Sequence, residues 1–242
     1  MTLSPSEKLA KHKAGSKFPR TNQFANSFPF SLDEFQIAGC RALEEGKGVL
    51  VAAPTGAGKT IVGEFAVELA ISSNTKCFYT TPIKALSNQK YSELVHRYGD
   101  SKVGLLTGDT SINSEAQIVV MTTEILRNMI YANSSTIEKL RYVVMDEVHY
   151  LADKFRGAVW EEILIHLSES VQVVSLSATV SNAEEFGEWL QTVRGETEII
   201  VSEIRPVPLY QHVLFGNRLL DLFDESMKLN PELTKLERVT YR

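Results

Sequence analysis

The sequence predicts an α/β fold, a mainly parallel sheet with helices on both faces, and three observations carry that prediction. Short apolar runs rich in Val and Ile recur along the chain, and amphipathic helical stretches separate them. One such run, Gly48-Val49-Leu50-Val51-Ala52, passes through a glycine-bearing turn directly into a helical stretch from Ile61 to Ser72. Another run delivers two adjacent carboxylates, Asp146 and Glu147, to the strand end where open α/β sheets bind ligands.

Taken in order, Met1 to about Ser27 is polar and basic, with Lys8, Lys11, Lys13, Lys17 and Arg20 against the single acid Glu7. Few of its residues can bury a core face, so residues 1–27 are expected to be a flexible arm, either solvated or in contact with nucleic acid. Order is expected to begin near Phe28. Ser31 with Glu34 three residues later reads as a capping box, opening a helix that carries Phe35, Ile37, Ala38, Cys40, Ala42 and Leu43 and stops around Gly46. Strands are expected at Val49–Ala53, Cys77–Thr80, Val103–Leu106, Ile118–Met121, Tyr142–Asp146, Val171–Ser175 and Glu198–Val201. Helices are expected to run from Ile61, Ile83, Thr123, Val159 and Asn182. The prolines of Arg205-Pro206-Val207-Pro208 then break the alternation. Leu209 to Phe215 reads as extended and Leu219 to Arg242 as helical, with no further sheet to cover, so 205–242 is expected to be a connector.

Composition narrows the class without naming a function. The 242 residues allow one large domain, or one domain with tails. Hydrophobic content of 43% and charged content of 23% are those of a soluble globular protein. A net charge of −5 advertises no nucleic-acid partner for the molecule as a whole, although a local basic groove binds phosphates on an acidic protein. Cys40 and Cys77 lack the spacing of a metal site and are expected to be buried thiols of a reducing compartment. With no apolar targeting segment and no long uncharged apolar run, the protein is expected to be soluble and cytoplasmic, without a membrane partner.

The chemistry concentrates at Ala53-Pro54-Thr55-Gly56-Ala57-Gly58-Lys59-Thr60. A buried strand, a glycine turn and a helix N-terminus make a phosphate cradle, because backbone N–H groups and the helix dipole both face the anion. Lys59 is placed to reach the β- and γ-phosphates of a nucleotide, and the Thr60 hydroxyl to bind Mg²⁺. Ala53 stands where the common pattern has its first glycine. The alternative, an ordinary glycine turn ahead of a core helix, leaves the Gly-Lys-Thr order unexplained. In the second anchor, Asp146 suits Mg²⁺, which takes hard oxygen ligands, and Glu147 is placed to orient or deprotonate an attacking water. His149 has no neighbouring histidine or cysteine that would make it a zinc ligand, and reads as a hydrogen-bonding group behind the γ-phosphate.

Together, Ala53–Thr60, Asp146-Glu147-Val148-His149 and Ser177-Ala178-Thr179 resemble the DExH branch of the superfamily 2 helicases. The neighbouring motifs narrow the resemblance to the Ski2-like group of RNA helicases. Phe28-Pro29-Phe30 with Leu32-Asp33-Glu34-Phe35-Gln36 is similar to that group's adenine-reading segment. Thr81-Pro82-Ile83-Lys84-Ala85-Leu86-Ser87-Asn88-Gln89, Thr107-Gly108-Asp109 and Thr122-Thr123-Glu124-Ile125-Leu126-Arg127 are similar to its nucleic-acid motifs. Arg156-Gly157-Ala158-Val159-Trp160-Glu161-Glu162 and Arg205-Pro206-Val207-Pro208-Leu209 also fit, so the match runs from about Phe28 to Leu209.

The resemblance implies a RecA-like P-loop NTPase domain over 28–204, with ATP and Mg²⁺ as cofactors. It implies that Phe30 stacks on adenine and Gln36 hydrogen-bonds its edge. It further implies that Pro82, Lys84, Gly108, Thr122, Thr123 and Arg127 track a single-stranded RNA backbone. Ser177, Ala178 and Thr179 would couple hydrolysis to strand separation; their ordinary alternative is a turn or a helix cap. Helicases of this class close two such lobes on ATP, and arginines of the second lobe are worth ~10³ to 10⁵ in rate. After Arg205 only Arg218, Arg238 and Arg242 occur, none in a second-lobe motif, so the chain is expected to be a first lobe, weakly active or inactive alone. A DNA helicase or translocase lobe and a non-catalytic binding module stay as alternatives.

Overall fold

The computed structural model describes residues 17–148, 157–178, 183–224 and 226–240. Helix α1 spans Pro19–Ala25 and α2 spans Glu34–Glu44. There follow β1 Gly48–Ala52, α3 Thr60–Ser73, β2 Lys76–Thr81, α4 Lys84–Tyr98, β3 Val103–Thr107, β4 Thr110–Ile112, β5 Ile118–Thr122 and α5 Thr123–Tyr131. A short 3₁₀ turn at Ser135–Ile137 precedes β6 Leu140–Met145, α6 Gly157–His166, β7 Gln172–Ser177, α7 Ala183–Arg194 and β8 Thr197–Val201.

Among the described residues the main sheet has eight strands in the order β4-β3-β5-β2-β6-β7-β1-β8, parallel except for the β3–β4 pair. Both faces are covered, as strands apolar on both sides require. Alternate residues enter opposite cores. Val49, Val51, Val144 and Val174 pack with Phe65 of α3 and Leu43 of α2, whereas Leu50, Val143 and Met145 pack with Trp160 and Ile163 of α6. Gly63 sets how closely α3 lies on the sheet, since a Cβ there would stand 3.0 Å from the Val144 side chain.

The parallel α/β class and the run of elements agree with the sequence reading, and four local expectations need correction. The ordered chain begins before Phe28, because Phe18, Thr21 and Phe24 are buried. Helix α1 starts on Pro19, whose fixed φ suits the first turn. The N–H groups of Arg20 and Thr21 donate to the Glu44 carboxylate at 3.0 and 2.8 Å, an anion at a helix N-terminus supplied from another helix. Second, the capping box of α2 is Asp33 with Gln36, not Ser31 with Glu34. Third, β7 continues to Ser177, and β6 begins at Leu140 and ends at Met145, so Asp146 stands just beyond its strand.

The fourth correction concerns the C-terminal stretch, since the chain divides into two units at 204/205. In the second unit β9 His212–Phe215 and β10 Arg218–Asp221 form an antiparallel hairpin, so Leu219 is strand rather than helix. The two-residue link Gly216-Asn217 explains this, with Gly216 at φ 59° in the left-handed region that hairpin turns use. Helix α8, Pro231–Thr240, starts later, where Pro231 fits a first turn and the Asn230 side chain accepts from the Glu232 N–H at 3.0 Å. His149, Arg156 and Thr179, the Asn182 helix start and the lysines before Lys17 lie outside the described residues.

Candidate functional site

The C-terminal ends of the parallel strands form one edge, and the sequence-predicted site residues divide along it. From β1, the chain turns through Ala53 to Lys59 before α3. Gly56 and Gly58 take φ of 85° and 82°, which a side chain strains to adopt, so the turn needs glycine at both. The loop is closed by the Ala57 N–H donating to the Pro54 carbonyl at 3.1 Å. The Ala53 N–H donates to the Ser177 carbonyl at 3.1 Å, tying the loop to the end of β7. Ser177 is buried and Ala178 half-buried beside it.

Lys59 is 7% exposed, and its Nζ donates to the carbonyls of Ala53 at 2.9 Å and Pro54 at 3.2 Å. Burial pushes its pKa below the ordinary lysine value, while the carboxylates of Glu147 and Asp146 pull it back up. Those acids arrive from β6, which is separated from β1 in the sheet by β7. The Asp146 N–H donates to the Thr80 carbonyl at 2.9 Å. Its Oδ1 accepts the Glu147 N–H at 2.9 Å and its Oδ2 accepts the Tyr79 hydroxyl at 2.8 Å. Burial holds the Asp146 carboxyl above its ordinary pKa, the Tyr79 bond opposes this, and Glu147 adds to it. Glu147 itself sits at φ 57°, a conformation costing about 1–3 kcal/mol in a residue other than glycine. Lys59 thus lies within electrostatic reach of both carboxylates, beside the glycine loop.

On the adenine-reading segment the two predicted residues differ. Phe30 is 55% exposed, its ring 5.4 Å from that of Phe28, and so presents an open aromatic face. Gln36 is buried. Its amide donates to the carbonyls of Ala57 at 3.3 Å and Gly58 at 3.1 Å, and its Oε1 accepts the Asp33 N–H at 2.8 Å. Here Gln36 braces the phosphate loop and caps α2 at the same time, instead of pointing outward. The missing Cβ of Gly58 makes this possible, since one would stand 2.7 Å from the Gln36 amide nitrogen.

The nucleic-acid candidates lie at the ends of β2, β3 and β5, adjacent strands at the other half of the edge. Pro82 follows β2, and Lys84 opens α4, half exposed, with its Nζ 2.5 Å from Asp109 Oδ2. Gly108 is exposed after β3 with open space around it. Thr122 is the N-cap residue of α5, while Thr123 lies behind the surface, its buried hydroxyl donating to the Thr81 carbonyl at 3.2 Å. Arg127 donates to Asn128 Oδ1 and lies 3.8 Å from a Glu162 carboxylate oxygen. The end of β2 joins the halves, since Thr80 holds Asp146 and Thr81 holds Thr123.

Two participants escaped the sequence reading. Tyr79 sits in an apolar strand run, where nothing marks its hydroxyl as the partner of a carboxylate 67 residues away. Asp109, which also accepts from Thr107 at 3.1 Å, belongs to a quoted motif yet carries no signal that it would pair with Lys84. Among the described residues no cluster of His, Cys, Asp and Glu could hold a metal ion by itself. Cys40 and Cys77 are buried, with their thiol pKa values pushed up by burial. No described helix is long and apolar enough to cross a membrane.

Comparison with known proteins gives four findings. The model of the DEAD/DEAH box helicase family matches residues 33–186. The chain is 62% identical over 218 residues to the probable helicase HelY of Mycobacterium leprae, covering 88% of this chain and 24% of that protein. It is 46% identical over 208 residues to the ATP-dependent RNA helicase mtr4 of Schizosaccharomyces pombe, covering 86% of this chain and 18% of that one. Among solved structures, the DUF1998 helicase MrfA bound to DNA superposes with a TM-score of 0.63 at 23% identity, covering 76% of this chain and 29% of that one. The last likeness speaks to the fold alone. The chain therefore spans about a quarter of the length of the HelY relative.

Proposed function

Since the chain belongs to the DEAD/DEAH box helicase family and is similar over most of its length to Ski2-like members, we propose that it is the ATP-binding lobe of an ATP-dependent RNA helicase. The observation that carries the reading is the convergence of Lys59 with Asp146 and Glu147 across β1 and β6, beside a loop whose glycines are both at positive φ. Triphosphate entering the cradle meets the loop N–H groups and the N-terminus of α3. Lys59 leaves the carbonyls of Ala53 and Pro54 and turns to the β- and γ-phosphates, exchanging two neutral acceptors for a charged one. Glu147, already held at an unusual backbone angle, orients and deprotonates the attacking water. The desolvated Asp146 carboxylate and the Thr60 hydroxyl suit a hard cation, and they would hold Mg²⁺, which neutralises phosphate charge during transfer. His149 is assigned behind the γ-phosphate, and Ser177, Ala178 and Thr179 to coupling. Phe30 supplies a stacking face for adenine, and Gln36 reads its edge once released from Gly58.

Single-stranded RNA then runs along the ends of β2, β5 and β3, contacted at Pro82, Lys84, Gly108, Thr122 and Arg127, with Thr123 supporting from behind. RNA is favoured over DNA because the mtr4 relative, an RNA helicase, is 46% identical, whereas the DNA-bound neighbour is alike only in fold. A second lobe closing over the nucleotide would bring arginines to the γ-phosphate and speed turnover. The test is phosphate release by the full-length protein with Glu147→Gln, expected to fall ~10² to 10⁴-fold; unchanged turnover overturns the catalytic assignment. Stimulation by single-stranded RNA and by DNA, compared at one salt concentration, decides the substrate.

A further inference from the structure

Helix α4 begins at Lys84 on the nucleic-acid half and ends beside an aromatic cluster that the nucleotide chemistry above leaves unexplained. The guanidinium of Arg97 lies 5.0 Å from the centroid of the Phe28 ring, 5.4 Å from that of Phe24 and 5.4 Å from that of Tyr98. Its Nη1 donates to Glu64 Oε2 of α3 at 2.5 Å, which anchors one end of the cation beside the rings. Phe24 packs in turn on Phe65, also of α3, at 5.1 Å, and edge-on against Phe28 at 5.1 Å. Phe28 carries Phe30 at 5.4 Å. A continuous path therefore runs from the helix that starts at Thr60 through Glu64, Arg97 and Phe28 to the exposed ring of Phe30.

An isolated exposed Glu–Arg pair contributes little, but Arg97 is engaged on several sides. A planar guanidinium stacks on aromatic faces while its edge binds a carboxylate, which the compact ammonium of lysine does not reproduce. Phe30, 55% exposed, rests its ring on Phe28, so its orientation depends on how firmly Phe28 is held. We propose that Arg97 is the positioning residue of the adenine platform: by clamping Phe28 it orients Phe30, and it sets affinity for the base of the nucleotide without touching it. The inference rests on the reading that Phe30 stacks on the base.

Calorimetric binding of ATP and of inorganic tripolyphosphate to the purified protein tests it, since tripolyphosphate fills the cradle and has no base. Arg97→Leu should weaken ATP about threefold to tenfold, within the range a cation–π contact spans, and leave tripolyphosphate unchanged. Unchanged tripolyphosphate binding also shows that the variant is folded. Arg97→Lys, which keeps the charge and loses the planar stack, should fall between, and Glu64→Gln should act in the same direction more weakly. Equal weakening of both ligands, or unchanged ATP binding in Arg97→Leu, overturns the inference. If the wild-type protein binds ATP no more tightly than tripolyphosphate, and Phe30→Ala changes neither, the adenine reading fails and this inference falls with it.

Discussion

The two halves of the sheet edge are built to different standards. The half formed by β6, β7 and β1 is dense: Lys59 is buried, the Asp146 carboxylate accepts from two donors while its N–H donates to Thr80, Glu147 is held at positive φ, and Gly58 leaves no room for a methyl group. The half formed by β3, β5 and β2 is open, with Lys84 and Asp109 paired at the surface and nothing within 4 Å of a Cβ built at Gly108. Phosphoryl transfer requires charges and dipoles fixed before the reaction, in a dry site, and that costs stability in the resting protein. Tracking a nucleic-acid backbone requires exposed charges that exchange partners, and asks little of the packing beneath them.

The largest expected difference is catalytic. Glu147→Gln should abolish most phosphate release while leaving RNA affinity within twofold or so, since no nucleic-acid contact is assigned to it; a parallel loss of RNA binding would show that the halves are not separable. Next is a matched pair of glycines. Gly58→Ala forces a side chain into positive φ and against Gln36, so about 1–3 kcal/mol of stability should be lost and the melting temperature should drop. Gly108→Ala should stay within about 0.5 kcal/mol of wild type in the same thermal melt.

Smaller still is the effect of Lys84→Ala, which should reduce the slope of log affinity for single-stranded RNA against log salt by about 0.7, one phosphate contact. Nucleotide affinity should not move. Asp109→Asn should tighten RNA binding at low salt by releasing Lys84, and an unchanged affinity would assign the pair to loop structure alone.

The smallest effect follows from the opposite pKa shifts of the two aspartates. Burial raises that of Asp146, so its favourable contribution is complete below the unfolded-state pKa and is lost as pH rises through the folded value. Asp109 is held down by Lys84 and then Thr107, so its contribution is present above the unfolded pKa and is lost as pH falls through the folded value. Asp146→Asn should therefore raise the melting temperature at neutral pH, in the absence of nucleotide, and lose that advantage in acid. Asp109→Asn should not raise it at either pH.

Much of this arrangement was legible because the signals are local. Strand-turn-helix order with Gly-Lys-Thr located the phosphate loop, and the apolar run before Asp146-Glu147 located the second anchor. Local signals failed where a partner lies far away in sequence. Helix α1 read as a polar arm because the carboxylate that caps it, Glu44, belongs to α2. The α2 cap was misplaced by two residues because Ser31/Glu34 and Asp33/Gln36 share the same spacing, and only the second pair has an N3 amide that also braces Gly58. Leu219 read as helical until the Gly216-Asn217 turn paired it with Leu214.

The sequence by itself determined the class of fold, the order of its elements and the residue types that carry the chemistry, since hydrophobic period and turn composition are properties of neighbouring residues. Tertiary structure decided which of those residues face outward. It turned Gln36 and Thr123 inward as braces, gave Asp146 its partner in Tyr79 and Lys84 its partner in Asp109, and set Phe30 on a ring clamped by Arg97. Each of these is a contact between side chains or backbone groups brought together by crossing strands, and the geometry of such a contact exists only once the sheet has assembled.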